Sequence, residues 1–380
     1  MGRATPNPRN FRNNYETLYF WASMSNRQGA GRSGMRPLSR KLTLLTGFAG
    51  ALLASPYAIS TECTTAEKPA REGIEFQVFV ENDLLAHTDR YYTNGVKIGI
   101  GVPGETLTDV LCDSSKSTLA PFLNVGEAIH LGLFLGQNIY TPKSITVAAP
   151  QPFDRPWAAW SYLGGVAQQV NTKGTALDTV EIDVGVVGPA AFGEEVQSWW
   201  HRQIGASKPL GWANQIPNEP AFLVSYVHKQ KFKSHYFELI PHVGATAGNV
   251  FTLARAGGIA RAGIHMTGFG PDSIEPGGAM LQSTRNAHDA DERKKLEVYG
   301  FVGFDARLVA RNIFLDGTLF RDSPSVSHRN YVHDLTAGAS IRYKSFRISL
   351  TRILRSEEFY TTKGGGGKQI FDSLNVGLEF

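Results

Sequence analysis

The chain has 380 residues, 42% of them apolar and only 19% charged, too apolar for a disordered polypeptide and slightly charge-poor for a water-soluble globule. Two cysteines exclude a disulfide scaffold and a thiolate zinc cluster. The formal charge of +4 gives no support to nucleic-acid binding, because residues 1–60 hold eight bases and one acid, whereas residues 61–380 hold 30 bases against 33 acids.

Met35 to Lys41 is short and basic, and Leu42 to Ala54 carries no charge. Ala58-Ile59-Ser60 then sets small residues three and one positions before Thr61. This is the layout of a secretory signal peptide cleaved before Thr61. The uncharged run has 13 residues, short of the roughly 20 that a spanning helix needs. The 34 residues ahead of Met35 read as an over-extended gene start, with translation beginning at Met35 or Met24. The expected division is therefore 1–34, a signal peptide over 35–60, a short segment over 61–72 and one domain over 73–380. Export would carry Cys63 and Cys112 into an oxidising compartment, where a disulfide and two separate thiols are both open.

From residue 73 onward the dominant period is two. Phe76, Val78 and Val80 alternate with Glu75, Gln77, Phe79 and Glu81; Ile98, Ile100 and Val102 with Lys97, Gly99 and Gly101; Leu131, Leu133 and Leu135 with His130, Gly132, Phe134 and Gly136. The same pattern recurs at Val180–Val186, Leu335–Tyr343, Phe346–Leu350 and Leu374–Phe380. Each such strand sets one face against something apolar and the other against something polar. A soluble sandwich and a membrane barrel both satisfy this pattern. Small residues on the polar face (Gly99, Gly101, Gly185, Gly338) suit a crowded lumen. Tyr91, Tyr92, Tyr140, Trp157, Trp160 and Tyr162, near strand ends, are expected to form an aromatic girdle, and the chain ends on an amphipathic strand with a terminal Phe380. Glu75, Lys97, Glu181 and Arg342 are expected to fill the lumen. Thirteen strand candidates begin near 73, 93, 127, 155, 176, 219, 233, 250, 295, 311, 329, 345 and 369. Single-chain bacterial barrels have an even number, and the segment 311–320 joins the strand before it. The fold expected is all-β: a twelve-stranded antiparallel transmembrane β-barrel.

Ala191 to Gly205 breaks the alternation and reads as a short helix between strands 5 and 6, with Gly205 as its stop. Gln197 and His201 are four apart and share one face, with Glu194 a turn earlier. Two polar clusters then stand out. One is Glu81-Asn82-Asp83 with Thr88-Asp89-Arg90-Tyr91-Tyr92-Thr93-Asn94-Gly95; the other is Glu194-Glu195-Val196-Gln197-Ser198-Trp199-Trp200-His201. The first offers hard oxygen ligands of the kind calcium takes; the second offers a histidine able to take a proton from water. Taken alone, Asn82-Asp83 and Thr93-Asn94-Gly95 are ordinary turn chemistry, a lone histidine on a short helix is a surface or capping residue, and acids at a helix start answer its dipole. No G-x-S-x-G or H-E-x-x-H occurs.

Several blocks in order resemble the lipid A 3-O-deacylase family of Gram-negative outer membranes. They are Glu81-Asn82-Asp83, Thr88 to Gly95, Gln137-Asn138-Ile139-Tyr140-Thr141-Pro142, Asp154-Arg155-Pro156-Trp157, Asp183 to Pro189, and Gly193-Glu194-Glu195-Val196-Gln197 with His201. The resemblance covers about residues 73–380. It implies a twelve-stranded barrel in the outer membrane, calcium dependence, and hydrolysis of the acyl ester at the 3 position of lipid A. It further implies His201 as general base, Asn82, Thr93 and Gln197 in the active site, and Asp83 as a calcium ligand. Ser207 stands where a compared family member has an acid, and Leu84 where a second acid often follows; Glu194, Glu195 and Glu81 are the candidates to compensate, with Glu195 expected beside Asp83 as a metal ligand. Arg90, Lys97 and Lys143 are candidate donors to the lipid A phosphates, each with the alternative of being a girdle or lumen charge. The partners expected are lipid A or lipopolysaccharide of the outer leaflet, on a monomer. A non-enzymatic pore and an outer-membrane phospholipase are the rival readings.

Overall fold

In lipid no water is available to satisfy backbone groups, so strands can cross only as a sheet closed on itself. The computed structural model, which describes residues 74–83, 90–103, 128–171, 173–274, 296–361 and 366–379, has this architecture. Its strands are β1 (Glu75–Asn82), β2 (Tyr91–Pro103), β3 (Ala128–Thr141), β4 (Ala158–Val170), β5 (Ala176–Val187), β6 (Glu219–Gln230), β7 (Phe232–Lys233), β8 (Phe237–Gly248), β9 (Phe251–Ile264), β10 (Glu297–Asn312), β11 (Tyr331–Tyr343), β12 (Phe346–Arg355) and β13 (Gln369–Glu379). All neighbours are antiparallel. β1 pairs with β2 and β13, and β6 with β5 and β8, so no edge remains. β7 is a two-residue continuation of β6 that pairs with β8, and the wall has twelve staves, as the sequence predicts. Residues 311–320 are no strand of their own: Arg311 and Asn312 finish β10, and a four-residue helix, α2 (Ile313–Asp316), turns away from it. The leader, Cys63, Cys112, Leu84, Thr88, Asp89 and Phe380 lie outside the described residues.

The alternation sorts the wall into two surfaces. Ile98, Ile100, Leu133, Leu135, Leu163, Ile182, Val184 and Leu350 face outward and are exposed, forming the lipid-facing band. The inward face is polar and buried, and Glu75, Lys97, Glu181 and Arg342 all lie on it as expected. Lys97 Nζ bonds Glu181 Oε1 at 2.6 Å and Arg355 Nη2 bonds Asp334 Oδ2 at 2.9 Å. Arg261 and Glu238 pair at 2.5 Å, and neither side chain is exposed. Glycines on this face make room for rings: a Cβ on Gly136 would collide with Tyr162, and one on Gly164 with Phe134, across the β3–β4 register.

The expected aromatic girdle is a correction. Tyr92, Tyr140, Trp160 and Tyr162 share the inward parity of Asn138, Gly136 and Gly164 and are buried. Tyr140 stacks on Phe314 at 3.9 Å, Trp160 on Tyr162 at 3.9 Å, and Tyr92 meets Phe371 edge-on at 5.0 Å. Tyr91 packs on Phe359, and Trp157 lies under Trp212 outside the wall. These rings fill and brace the protein. Other aromatics at strand ends are exposed: Phe232, Tyr236, Phe237, Tyr343 and Phe346 at one rim, here called the lower, and Tyr331 at the other.

The interior is also closed by chain. After β9 ends at the lower rim, residues 265–274 turn up into the lumen. Arg261 donates to the carbonyls of Thr267 at 3.0 Å and Gly268 at 2.9 Å. Glu297 accepts from the Thr267 amide at 3.1 Å, and Lys229 pairs with Asp272 at 2.7 Å. Phe269 is buried against Val170, Leu177 and Ile240. The Ile274 amide reaches Glu81 Oε1 at 3.0 Å, near the opposite rim. Ten residues can extend about 33 Å, enough to run the length of a barrel wall.

Two outcomes follow from a filled interior. Purified protein in a planar bilayer is expected to show no steady conductance, and a persistent open current would contradict the plugged lumen. Arg261→Met leaves the Glu238 carboxylate buried without its partner and two plug carbonyls without a donor. A loss of about 3–5 kcal/mol is expected, read as a lower unfolding temperature in heat-modified gel mobility.

Candidate active site on the outer wall

On β1 the outward residues run Phe76, Val78, Val80 and then Asn82; on β2, Ile100, Ile98, Val96 and then Asn94; on β3, Leu133, Leu135 and then Gln137; on β4, Leu163 and then Ser161. The lipid-facing row therefore turns polar at the upper end of four adjacent staves. A β-bulge between Tyr92 and Asn94 adds one residue to β2 and brings Thr93 beside Thr141, with the hydroxyls 2.7 Å apart. Asn82 Nδ2 donates to the Thr93 carbonyl at 3.0 Å. Asn94 Nδ2 donates back to the Glu81 carbonyl at 3.3 Å. Asp83, buried at the end of β1, accepts the Arg90 amide at 2.7 Å.

The helix predicted between strands 5 and 6 is α1 (Gly193–Ile204), and Gly205 ends it in the left-handed conformation at φ 69°. Gly193, Gln197 and His201, four apart, form its buried face. It stands outside the barrel. Gly193 lies on the outward Ala159 of β4, where a Cβ would collide with the Ala159 Cβ and come within 2.6 Å of the Trp212 ring. The Ala191 carbonyl accepts from Gln137 Nε2 at 2.7 Å and Ser161 Oγ at 2.9 Å, fixing the helix start to β3 and β4. Ile139, Ala159, Ile145, Trp157, Ala191 and Trp212 form an apolar cluster between wall and helix. The family-like segment Asp154-Arg155-Pro156-Trp157 builds the brace: Asp154 accepts the Lys143 amide at 3.0 Å, and Trp157 packs on Trp212 at 5.0 Å.

Trp212 Nε1 donates to Gln197 Oε1 at 2.9 Å, which holds the amide. His201 Nδ1 lies 2.5 Å from the main-chain carbonyl of Ser207. A carbonyl can only accept, so Nδ1 carries the proton and Nε2 is the basic nitrogen. Position 207 thus orients the ring through its peptide group. The α1 face and the polar strand ends are neighbours along one register row: Asn82 pairs with Asn94, Asn94 with Ile139 and Ile139 with Ala159. At about 4.8 Å per strand, Asn82 is roughly 15 Å of wall from the stave on which Gly193 rests.

Asn82, Asp83 and Thr93 are thus gathered at one end of the barrel, and Gln197 and His201 face the wall at that same end. Three other expected residues are not brought to them. Lys97 has inward parity and is sealed in the lumen, its ammonium on Glu181 and 3.7 Å from the Phe134 ring centroid. Glu195 is exposed, about 200° around α1 from Gln197. Lys143 is exposed on the bracing loop. Arg90 stays at the rim, its guanidinium 5.4 Å from the Tyr91 ring centroid. Among the described residues no three His, Cys, Asp or Glu side chains gather as a metal cluster. Any cation here would be held chiefly by amide, hydroxyl and carbonyl oxygens. Thr141, Trp212 and the Ser207 carbonyl are site components that the sequence did not single out.

A closed twelve-stave barrel, apolar outside and polar within, defines the chain as an outer-membrane β-barrel protein. The model of the family "Outer membrane protein LpxR" matches residues 48–380, and the chain belongs to that family. LpxR from Salmonella typhimurium superposes with a TM-score of 0.62 at 22% identity, covering 80% of this chain and 100% of that one. The β domain of the Bordetella autotransporter BrkA gives 0.40 at 11% identity, over 82% of this chain and 99% of that one. No curated protein sequence matches the chain.

The Gly193 contact makes a direct test. Gly193→Val forces side-chain atoms into Ala159 and Trp212, so α1 is expected to lift from the wall while the barrel remains closed. The expected signature is faster proteolysis within 193–216 and altered tryptophan emission, with an unfolding temperature close to that of the unaltered protein.

Proposed function

We propose that the protein is a calcium-dependent esterase of the outer membrane that hydrolyses the acyl ester at the 3 position of lipid A. The observation that carries this reading is the orientation of His201. Its Nδ1–H is spent on the Ser207 carbonyl, and it is set on a helix face against a wall whose outward residues have turned polar. Polar residues are costly against acyl chains, so their position at the end of the lipid-facing band suits a substrate with its tails in lipid and its esters near the headgroups.

In this reading Nε2 of His201 takes a proton from water, and the hydroxide equivalent adds to the ester carbonyl. Collapse breaks the acyl C–O bond, the proton returns from His201 to the sugar oxygen, and the products are a free fatty acid and a hydroxyl. Gln197, held by Trp212, is a polar group positioned beside the histidine. Asp83, Asn82 and Thr93 would hold calcium, since their carboxylate, amide and hydroxyl or carbonyl oxygens are the hard ligands it takes. When bound, the cation would polarise the ester carbonyl and favour the oxyanion. Glu195 has no part in that shell.

Mass spectrometry of lipid A from cells expressing the protein is expected to show loss of one 3-linked acyl chain. His201→Ala is expected to lower the rate by about 10²–10⁴-fold, and Asp83→Ala or calcium chelation to lower it with the barrel intact. Unchanged lipid A with the unaltered protein would remove the deacylase reading. An active His201→Ala would remove the assigned base. Release of fatty acid from phospholipids alone would move the substrate to the phospholipase rival.

A further inference from the structure

The polar row does not stop at Asn82. In the other direction Asn82 pairs with Asp372 of β13, and Asp372 with Arg352 of β12. Both have lipid-facing parity. Leu350 and Leu354, exposed, flank Arg352 on its strand, and the exposed Ile370 precedes Asp372 on its own. An arginine on the lipid face of a barrel is strongly unfavourable at the bilayer midplane and nearly neutral near the interface. This stretch of wall therefore belongs at headgroup level.

The pair has a defined form. Arg352 Nε donates to Asp372 Oδ1 at 2.8 Å and Nη2 to Oδ2 at 3.0 Å. The fork fixes the guanidinium plane. It uses Nε and one edge of Nη2, while Nη1 brings two further N–H donors. The arginine side chain is 51% exposed and the aspartate only 19%, so the charge presented outward is positive. Two strand spacings set it roughly 10 Å from Asn82, on the scale of a sugar headgroup. Lys97, a phosphate donor expected from the sequence, is sealed in the lumen, whereas Arg352 lies on the same outward row as Asn82.

We infer that Arg352, oriented by Asp372, is a binding contact for a phosphate monoester on the headgroup of the lipid substrate, an inference that rests on the lipid A reading above. The guanidinium gives charge-assisted hydrogen bonds to phosphate oxygens, and a lysine at this position would supply charge without the planar fork. The contact holds the headgroup across β12–β2 with its esters toward α1.

The test is binding, measured apart from turnover. Full-length protein in detergent is titrated by native mass spectrometry with lipid A bearing its phosphates and with lipid A from which they have been removed; a third titration adds inorganic phosphate as competitor. The unaltered protein is expected to prefer the phosphorylated lipid by about 10-fold. Arg352→Gln is expected to abolish that preference, Arg352→Lys to retain part of it, and Asp372→Asn to weaken it. Heat-modified gel mobility verifies that each variant is folded. An undiminished preference in folded Arg352→Gln would overturn the inference. So would equal affinity of the unaltered protein for both lipids, and millimolar inorganic phosphate occupying the site without any lipid preference would assign it to a free anion instead. A phosphate preference without acyl release would sink the deacylase reading alone; acyl release without the preference would sink this contact alone.

Discussion

Everything in this molecule follows from the need to pair every backbone amide and carbonyl where lipid supplies no partner. The β1–β13 and β6–β8 ladders close the sheet, and closure leaves each residue only two directions, outward to acyl chains or inward to a confined space. The interior is then a second core. Its charges are matched in pairs such as Arg261–Glu238, its glycines sit under rings, and residues 265–274 occupy what would otherwise be a channel. A barrel filled in this way leaves its flank as the surface on which the proposed reaction is sought.

At the upper ends of β1 to β4 the flank departs from the rule. Asn82, Asn94, Gln137 and Ser161 have the parity of lipid-facing residues yet are polar, and α1 stands over their neighbours Ile139 and Ala159. Two kinds of connection hold it there. Apolar burial fixes the helix to the wall, and hydrogen bonds from Gln137 and Ser161 to the Ala191 carbonyl fix its starting point. The histidine face is therefore carried by an element braced at both ends, by residues 188–192 before it and by 206–212 after it. Such rigid support outside a membrane cylinder suits the proposed reaction, since loosely held groups lose alignment readily.

Much of this was legible from counting by two. The twelve staves, the merging of 311–320 into β10, the helix between strands 5 and 6 and its stop at Gly205 all follow from where alternation holds or fails. The same counting already placed Lys97 with Gly99 and Gly101 on the inner face, and Tyr140 with Asn138 and Gly136. Reading those two as a substrate contact and a girdle residue overrode the parity of their own strands. Glu195 failed for a comparable reason, since two residues on a helix turn a side chain nearly to the opposite face. Arg352 carries no signal of its own beyond the series Phe346, Ile348, Leu350, because its meaning depends on Asn82 lying two strands away, which only the closing register supplies. The bulge at Thr93 and the inward course of 265–274 have no local signal. Both are set by partners distant in sequence, Thr141 for one and Arg261, Glu297 and Glu81 for the other.

The acceptor for His201 is a peptide oxygen, and this has a consequence for how the family can vary. A carboxylate in the same role can be deleted by one codon change. A main-chain oxygen survives any replacement that preserves the turn after Gly205, so a substitution at position 207 leaves the acceptor in place. The vulnerability moves to the path of the backbone itself, where an inserted or deleted residue between 201 and 207 would rotate the imidazole out of line although every side chain were kept.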